Sequence, residues 1–106
     1  MKGSQIIILV TASSKEEAEK ISEILLNEKL VACVNIMGPV YSSFWWMGKI
    51  DKAEEHLILM KTKRGLFNKL SKRVKAIHSY KVPEIIAVPI LEGSEDYLKW
   101  IEESIG

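Results

Sequence analysis

The feature that most constrains the fold is a pair of extended segments that meet at Met47-Gly48. Val40 to Trp46 has the β-branched and aromatic composition of a strand. Lys49-Ile50 and then His56 to Thr62 have the same character on the other side. Because glycine supplies the positive φ that a tight turn requires, these segments predict a long antiparallel hairpin.

The remaining segments alternate between strand and helix character. Three of them are rich in β-branched residues and are predicted strands: Gln5 to Ala12, Val31 to Ile36 and Glu84 to Ile90. Three have apolar residues at helical spacing and are predicted helices: Ser13 or Ser14 to Asn27, Thr62 or a neighbour to Ile77, and Glu95 to Ser104. The order β-α-β-β-α-β, followed by a helix, predicts an α+β, ferredoxin-like fold with two helices on one face of an antiparallel sheet. Pro89 places the last strand at a sheet edge or a bulge.

Composition and charge are those of an ordinary packed protein. The 106 residues have the length of one domain, predicted over residues 1–106, and 47% of them are hydrophobic. With 15 Lys and Arg against 14 Asp and Glu, no excess charge indicates a nucleic-acid or membrane partner.

The apolar run Ile6 to Val10 is too short for a secretory signal or a membrane span. Cys33 is the single cysteine, which favours a reducing, cytoplasmic location.

The predicted hairpin is longer than a domain of this size can cover. A compact chain of this length has a diameter of about 33 Å, whereas arms of about 14 residues extend roughly 46 Å unless Gly38-Pro39 folds them back. Adjacent strand residues point to opposite faces, so Trp45 and Trp46 cannot both enter one core. Either a helix of the same chain covers both rings, or neighbouring subunits do. Since an exposed aromatic hairpin promotes aggregation of a monomer, we predict a stable homo-oligomer.

Cys33 is the first candidate for metal or redox chemistry. A free cysteine in an apolar strand usually packs as a small hydrophobic side chain. The alternative is a soft ligand for Cu(I), because Met37 is predicted on the same strand face and supplies a thioether. His78, at the end of the second helix, is expected to interact with the terminal carbonyls, and His56 is expected to be solvated. These residues form no recognised metal motif, and a site shared between subunits stays open.

Lys61, Tyr80 and Glu84 are further polar residues near predicted strand ends. Lys61 ends the return strand of the hairpin, and Glu84 directly follows Pro83 at the beginning of the last strand. An ion pair between Lys61 and Glu84 is one interpretation. A polar pocket at a subunit boundary is the other.

The sequence lacks the motifs of common enzymes and of one related RNA-binding module. GxSxG, GxGxxG, the P-loop and HExxH are all absent. The RNA-binding sheet of the same topology has basic and aromatic residues where this chain has Leu57-Ile58-Leu59-Met60. A non-catalytic protein that does not bind nucleic acid is therefore expected.

Several short blocks lie in order over nearly the whole chain. They are Glu28-Lys29-Leu30-Val31-Ala32-Cys33-Val34-Asn35, Phe44-Trp45-Trp46-Met47-Gly48-Lys49-Ile50, Lys61-Thr62, His78-Ser79-Tyr80 with Val82-Pro83-Glu84-Ile85, and Tyr97-Leu98-x-Trp100. Together they resemble the CutA family of divalent-cation tolerance proteins. Two positions depart from the family's pattern, because Ser79 stands where proline is usual and Met47 where a polar residue is common.

The resemblance implies a tight homotrimer, similar in plan to the PII signalling proteins. It also implies a link to tolerance of copper and other divalent metals, without an established catalytic activity or a required cofactor. By matching position, Cys33 and His78 become candidate metal ligands, with copper or another divalent cation as the candidate ion. The resemblance further implies a cleft between subunits with four candidate residues: Trp46, Lys61, Tyr80 and Glu84.

Three functions are consistent with these features. The first is a trimeric metal-tolerance protein that acts as a sensor or scaffold. The second is a PII-like trimer that binds a small anionic metabolite in the cleft through Lys61 and backbone amides. The third is a purely structural trimer that presents a surface to a protein partner.

Overall fold

A four-stranded antiparallel sheet forms the centre of the computed structural model, which describes residues 4–105. Its strands are β1 (Gln5–Ala12), β2 (Cys33–Trp46), β3 (Lys49–Lys63) and β4 (Ile85–Pro89). The helices are α1 (Lys15–Asn27), α2 (Phe67–Ile77) and α3 (Glu95–Ser104). The strands lie in the order β2-β3-β1-β4, so the predicted α+β, ferredoxin-like plan is confirmed. No helix among the described residues is both long and apolar enough to span a membrane.

Strands β2 and β3 form the long hairpin predicted around Met47 and Gly48. Both turn residues have positive φ, 51° and 79° respectively. The pairing shifts once, between Met37 and Val40, so Gly38-Pro39 lies in a bulge within one continuous strand rather than between two strands. With strands of 14 and 15 residues, the described part of the chain is elongated and measures 44 × 26 × 23 Å.

One face of the sheet packs against α1 and α2 and forms the main core. Alternate residues of β1, among them Ile8 and Val10, point to this side and are fully buried. They meet the apolar stripes of the two helices, which consist of Ala18, Ile21 and Leu25 on α1 and Leu70 and Val74 on α2. The core therefore lies between the sheet and its two long helices.

The opposite face of the sheet is covered at one end by α3. There Ile101 is fully buried, and Lys63 Nζ donates a hydrogen bond to the Ile105 carbonyl at 3.3 Å. Beyond α3 this face is apolar, and no other described element of the chain covers it. We call this surface the open face, and it consists of Leu9, Met37, Leu57, Leu59, Ile86 and Val88. Ile86 remains 48% exposed and Val88 43% exposed.

Two local predictions differ from the structure. The second helix begins at Phe67 after a 3-10 turn at Arg64–Leu66, not near Thr62. The reason is that Thr62 is fully buried in β3, where its hydroxyl donates to the Leu30 carbonyl at 2.7 Å. His56 is only partly solvated, because its ring packs closely on Gly38. A Cβ added at Gly38 would lie 2.7 Å from Cγ of this ring.

Candidate functional site

A cleft of about 940 Å³ lies between the hairpin and the loop that joins α2 to β4. One wall is the hairpin, where Phe44 pairs with Asp51, so their side chains share one face of the ribbon. The other wall is the loop segment 79–84. Three of the four predicted cleft residues line it: Trp46, Tyr80 and Glu84.

A hydrogen bond between Tyr80 and Glu55 joins the two walls of the cleft. The Tyr80 hydroxyl donates to Glu55 Oε2 at 2.7 Å, and Glu55 is only 6% exposed. Burial and the adjacent Glu55 carboxylate raise the pKa of Tyr80 to about 12, so the phenol stays protonated and keeps donating at neutral pH. Sequence reasoning missed Glu55. The one available signal is that Glu55 shares the strand alternation of Leu57 and Leu59.

His78 positions the loop that carries Tyr80. Its Nδ1 accepts a hydrogen bond from the Tyr80 backbone N–H at 3.0 Å, so its Nε2 carries the proton and donates to the Thr11 carbonyl at 2.8 Å. The side chain is fully buried. The expected contact with helix carbonyls is made instead by the His78 backbone N–H, which bonds to the Val74 carbonyl. Both ring nitrogens are thus engaged within the chain.

The first turn of α1 holds the same loop through Glu17. Its carboxylate accepts hydrogen bonds from the Ser13 backbone N–H and hydroxyl and from the Ser79 backbone N–H, at 2.7–2.9 Å. The Glu17 N–H in turn donates to the Ser14 hydroxyl at 3.1 Å, so Ser14 is the N-cap of α1. Burial raises the pKa of the Glu17 carboxyl, but the bonds from Ser13 and Ser79 outweigh it and hold this pKa at about 2.

We expect Glu17→Gln to destabilise the protein at pH 7 but not in strong acid. The folded pKa of about 2 lies below the ordinary value of 4.5. The carboxylate therefore contributes its full stabilisation above about pH 4.5 and loses it as the pH falls towards 2. Because solvent screens part of this contribution, the expected loss in the free energy of unfolding at pH 7 is about 1–2 kcal/mol. Urea unfolding between pH 7 and pH 2 measures it.

The matched control is Glu23→Gln, a change to an exposed carboxylate of the same helix. This variant should follow the parent curve of stability against pH. A constant difference between Glu17→Gln and the parent at all pH values would contradict the assigned role of the charge.

Cys33 and Lys61 lie together, away from the cleft. They are paired across β2 and β3 on the sheet face that carries α3. Lys61 Nζ lies 3.9 Å from Cys33 Sγ and donates a hydrogen bond to Asn35 Oδ1. Burial and the nearby Cys33 raise the pKa of Tyr97 on α3. Cys33 is only half-buried and points away from the main core, so the expected core packing is not found.

The structure does not bring Cys33 and His78 together within one chain. His78 bonds to Thr11, which pairs with Leu57, whereas Cys33 pairs with Lys61. Leu57 and Lys61 are four residues apart on β3, which corresponds to a distance of roughly 13 Å. In the part of the chain that the structure describes, no three or more His, Cys, Asp or Glu side chains are grouped so that they could hold a metal ion.

The interpretation of Lys61 and Glu84 as an ion pair is not supported. Lys61 pairs with Ile7, and Ile7 pairs with Val88 near the end of β4. Glu84 precedes the other end of that strand, roughly 13 Å away at the usual rise per residue. Lys61 bonds instead to Asn35, and Glu84 faces the cleft.

Comparison with known proteins identifies the family. The sequence model of the CutA1 divalent ion tolerance protein matches residues 6–104. The chain belongs to the CutA family. CutA of Thermus thermophilus, a divalent-cation tolerance protein, is 45% identical over 100 residues, which are 94% of this chain and 97% of that protein. CutA of Archaeoglobus fulgidus, described in the same words, is 48% identical over 98 residues, which are 92% of this chain and 95% of that protein.

Solved structures of CutA proteins share the whole fold. The Thermus thermophilus structure superimposes with a TM-score of 0.94 at 44% identity, covering 96% of this chain and 99% of that one. The CutA1 structure from Oryza sativa gives 0.95 at 39% identity, covering 99% of this chain and 96% of that one. The resemblance noted from the sequence blocks is thereby confirmed.

Proposed function

We propose that this CutA chain is a non-catalytic homotrimer that binds divalent or cuprous ions, as a sensor or scaffold in metal homeostasis. The observation that carries the proposal is the uncovered open face. Cys33 lies on the same side of the sheet. The names of the relatives, which are called divalent-cation tolerance proteins, support the metal-related part.

Two uncovered apolar surfaces support the assembly. Trp45 is 73% exposed and Trp46 54% exposed, so none of the described helices covers both rings. The open face adds a second such surface, and exposed patches of this kind usually mark contacts between proteins. Burial of both surfaces against neighbouring subunits would remove them from water.

The two edges of the sheet permit a ring of subunits. Strand β2 forms one edge and β4 the other, so the two edges of each subunit differ. Pairing of β2 with β4 of the next subunit is a head-to-tail contact, which closes into a ring when the rotation between subunits permits. We propose three subunits because this is the assembly that the family resemblance implies.

Cys33 supports the metal-binding part of the proposal. Its half-buried side chain lies on the sheet face that carries α3, whereas Met37 of the open face is four residues, roughly 13 Å, further along the same strand. A thiolate and a thioether are soft ligands that suit Cu(I). Because the described residues of one chain hold no complete ligand set, we propose that neighbouring subunits contribute the remaining ligands.

We expect Cys33→Ser to weaken Cu(I) binding to the assembled protein at least tenfold, which corresponds to about 1.4 kcal/mol. Competition with a chromogenic Cu(I) chelator measures the affinity, and light scattering on the same sample measures the mass. Met60→Leu is the matched control, because Met60 is fully buried on the helix side and its sulfur cannot reach an ion. Unchanged affinity in Cys33→Ser would remove Cys33 as a ligand.

The anionic metabolite receives no support from the cleft. Lys61, the cation on which that hypothesis depends, bonds to Asn35 outside the cleft. If the assembled protein binds no metal ion, the structural trimer with a protein partner becomes the favoured function.

We also propose a cytoplasmic location, supported by the single cysteine. The Archaeoglobus fulgidus protein is described as periplasmic and the rice relative as chloroplastic, so fractionation of the source cells is the test.

A further inference from the structure

The exposed side of α2 is basic. The residues Phe67–Ile77 contain four cations and no Asp or Glu. We call these cations the basic stripe, and they are Lys69, Lys72, Arg73 and Lys75. The three lysines are exposed, whereas the buried residues Leu70 and Val74 pack into the main core. Because α2 covers the side of the sheet opposite the open face, an assembly formed through the open face leaves the basic stripe in contact with water.

Helix stability does not explain the basic stripe. Residues three or four apart on a helix are neighbours, and this spacing joins Lys69 to both Lys72 and Arg73. Like charges at such positions destabilise a helix. Lys69 also lies in the first turn, where the helix dipole disfavours a cation and no side chain caps the helix. Only Lys75, in the last turn, is favoured by the dipole.

Intramolecular pairing accounts for one charge of the basic stripe. Arg73 Nε donates to both carboxylate oxygens of Glu28 at 2.9 Å. This hydrogen bond lowers the pKa of Glu28, and the charge of Lys69 contributes less. Among the residues that the structure describes, the three lysines of the basic stripe form no ion pair. Three positive charges therefore remain for a partner.

The size of the basic stripe fits a short peptide. The helix rises 1.5 Å per residue, so Lys69 and Lys75 are separated by about 9 Å along the axis. An extended chain rises about 3.3 Å per residue, so a segment of roughly four residues has this length. Carboxylates on such a segment can each approach a different lysine.

A nucleic acid or a membrane surface fits less well, because both present anions over a much larger area. Helix α1 lies beside α2 and carries four Glu and two Lys. Three of those glutamates are exposed and would repel an extended array of phosphates: Glu16, Glu19 and Glu23. Phe67, the one aromatic residue of α2, packs against the core and offers no surface on which a base could stack.

We infer that the basic stripe docks a short segment of a partner protein that is rich in Asp and Glu. Carboxylates of that segment pair with Lys69, Lys72 and Lys75, while Arg73 stays bound to Glu28. The surface lies on the opposite side of the sheet from Cys33, so this inference does not depend on metal binding.

Fluorescence anisotropy with the assembled protein and three labelled probes tests the inference. The probes are hexaglutamate, hexaglutamine and an oligothymidylate of the same number of residues. At low salt, hexaglutamate should bind with a dissociation constant of about 0.1 mM or below, at least about tenfold tighter than hexaglutamine. Its binding should weaken at physiological salt, because exposed charges are screened. Equal binding of the two peptides, or tighter binding of the oligothymidylate than of hexaglutamate, would overturn the inference.

A pair of matched double variants locates the binding surface. Lys72→Gln with Lys75→Gln should weaken hexaglutamate binding at least about fivefold. The control, Lys15→Gln with Lys20→Gln, removes the same charge from exposed positions of α1 and should change binding less than about twofold. Both proteins should keep the mass and the circular dichroism spectrum of the parent. Equal weakening by the two double variants would show that net charge, and not the basic stripe, attracts the peptide.

A third variant changes the charge of the basic stripe in the opposite direction. Glu28→Gln removes the carboxylate that binds Arg73, so the guanidinium becomes accessible to the peptide. Hexaglutamate binding should then tighten about two- to threefold. Weaker binding in this variant would contradict docking on the basic stripe.

Discussion

Ile86→Asp is expected to convert the assembled protein into a folded monomer. Ile86 lies on the open face and is 48% exposed in the single chain, so an aspartate there would remain in contact with water. In the proposed trimer the same side chain would be buried once in each subunit. Burial of an unpaired carboxylate costs several kcal/mol, which exceeds what an apolar contact of this size provides. Light scattering should give the mass of one chain, with an unchanged far-ultraviolet circular dichroism spectrum.

A comparable residue on the other side of the molecule serves as the control. Leu26 is 42% exposed and lies on α1, away from the open face. Leu26→Asp introduces the same charge at nearly the same exposure, and this variant should keep the mass of the parent. A trimeric Ile86→Asp protein would show that the open face is not the interface.

Ile8→Ala is expected to produce the largest loss of stability within one subunit. Ile8 is fully buried at the centre of β1, where it pairs with Met60 on one side and Ala87 on the other. Truncation of a buried isoleucine leaves a cavity and usually costs about 2–5 kcal/mol. The measurement is urea unfolding in the Ile86→Asp background, so that dissociation of subunits does not contribute to the free energy of unfolding.

The neighbouring residue provides the control for this second prediction. Ile7 points to the opposite face of the sheet and is only partly buried. In the monomeric background Ile7→Ala should cost less than half as much as Ile8→Ala. Equal losses at the two positions would contradict the assignment of the core to the helix-covered face.

The elements of the fold could be predicted because their signals are local. The turn at Met47-Gly48 and the helical spacing of α1 and α2 each lie within a few residues of sequence. The end of β3 could not be placed, because Thr62 belongs to the strand through a bond to Leu30, which lies far away in the sequence. Periodicity does not indicate such long-range contacts.

The candidate site was predicted less completely than the fold. The apolar neighbours of Cys33 predicted a core position, but alternation along β2 directs Val34 and Ile36 to the helices and Cys33 to the other side. A period of two shows that a strand has two faces and does not show which face the helices cover. Glu55 was missed for a related reason, since its burial depends on Tyr80, which lies 25 residues further along the chain.

The two walls of the cleft should differ in how freely evolution can change them. The hairpin wall is held by main-chain pairing, which any suitable strand residue can maintain. The loop wall is held by specific side chains, those of Glu17 and His78, together with the bond from Tyr80 to Glu55. Substitutions at positions 17, 78, 80 and 55 should therefore occur together among relatives, whereas positions 42 and 43 can change one at a time. The chemistry of the cleft can thus diversify from the hairpin side while the loop opposite stays constant.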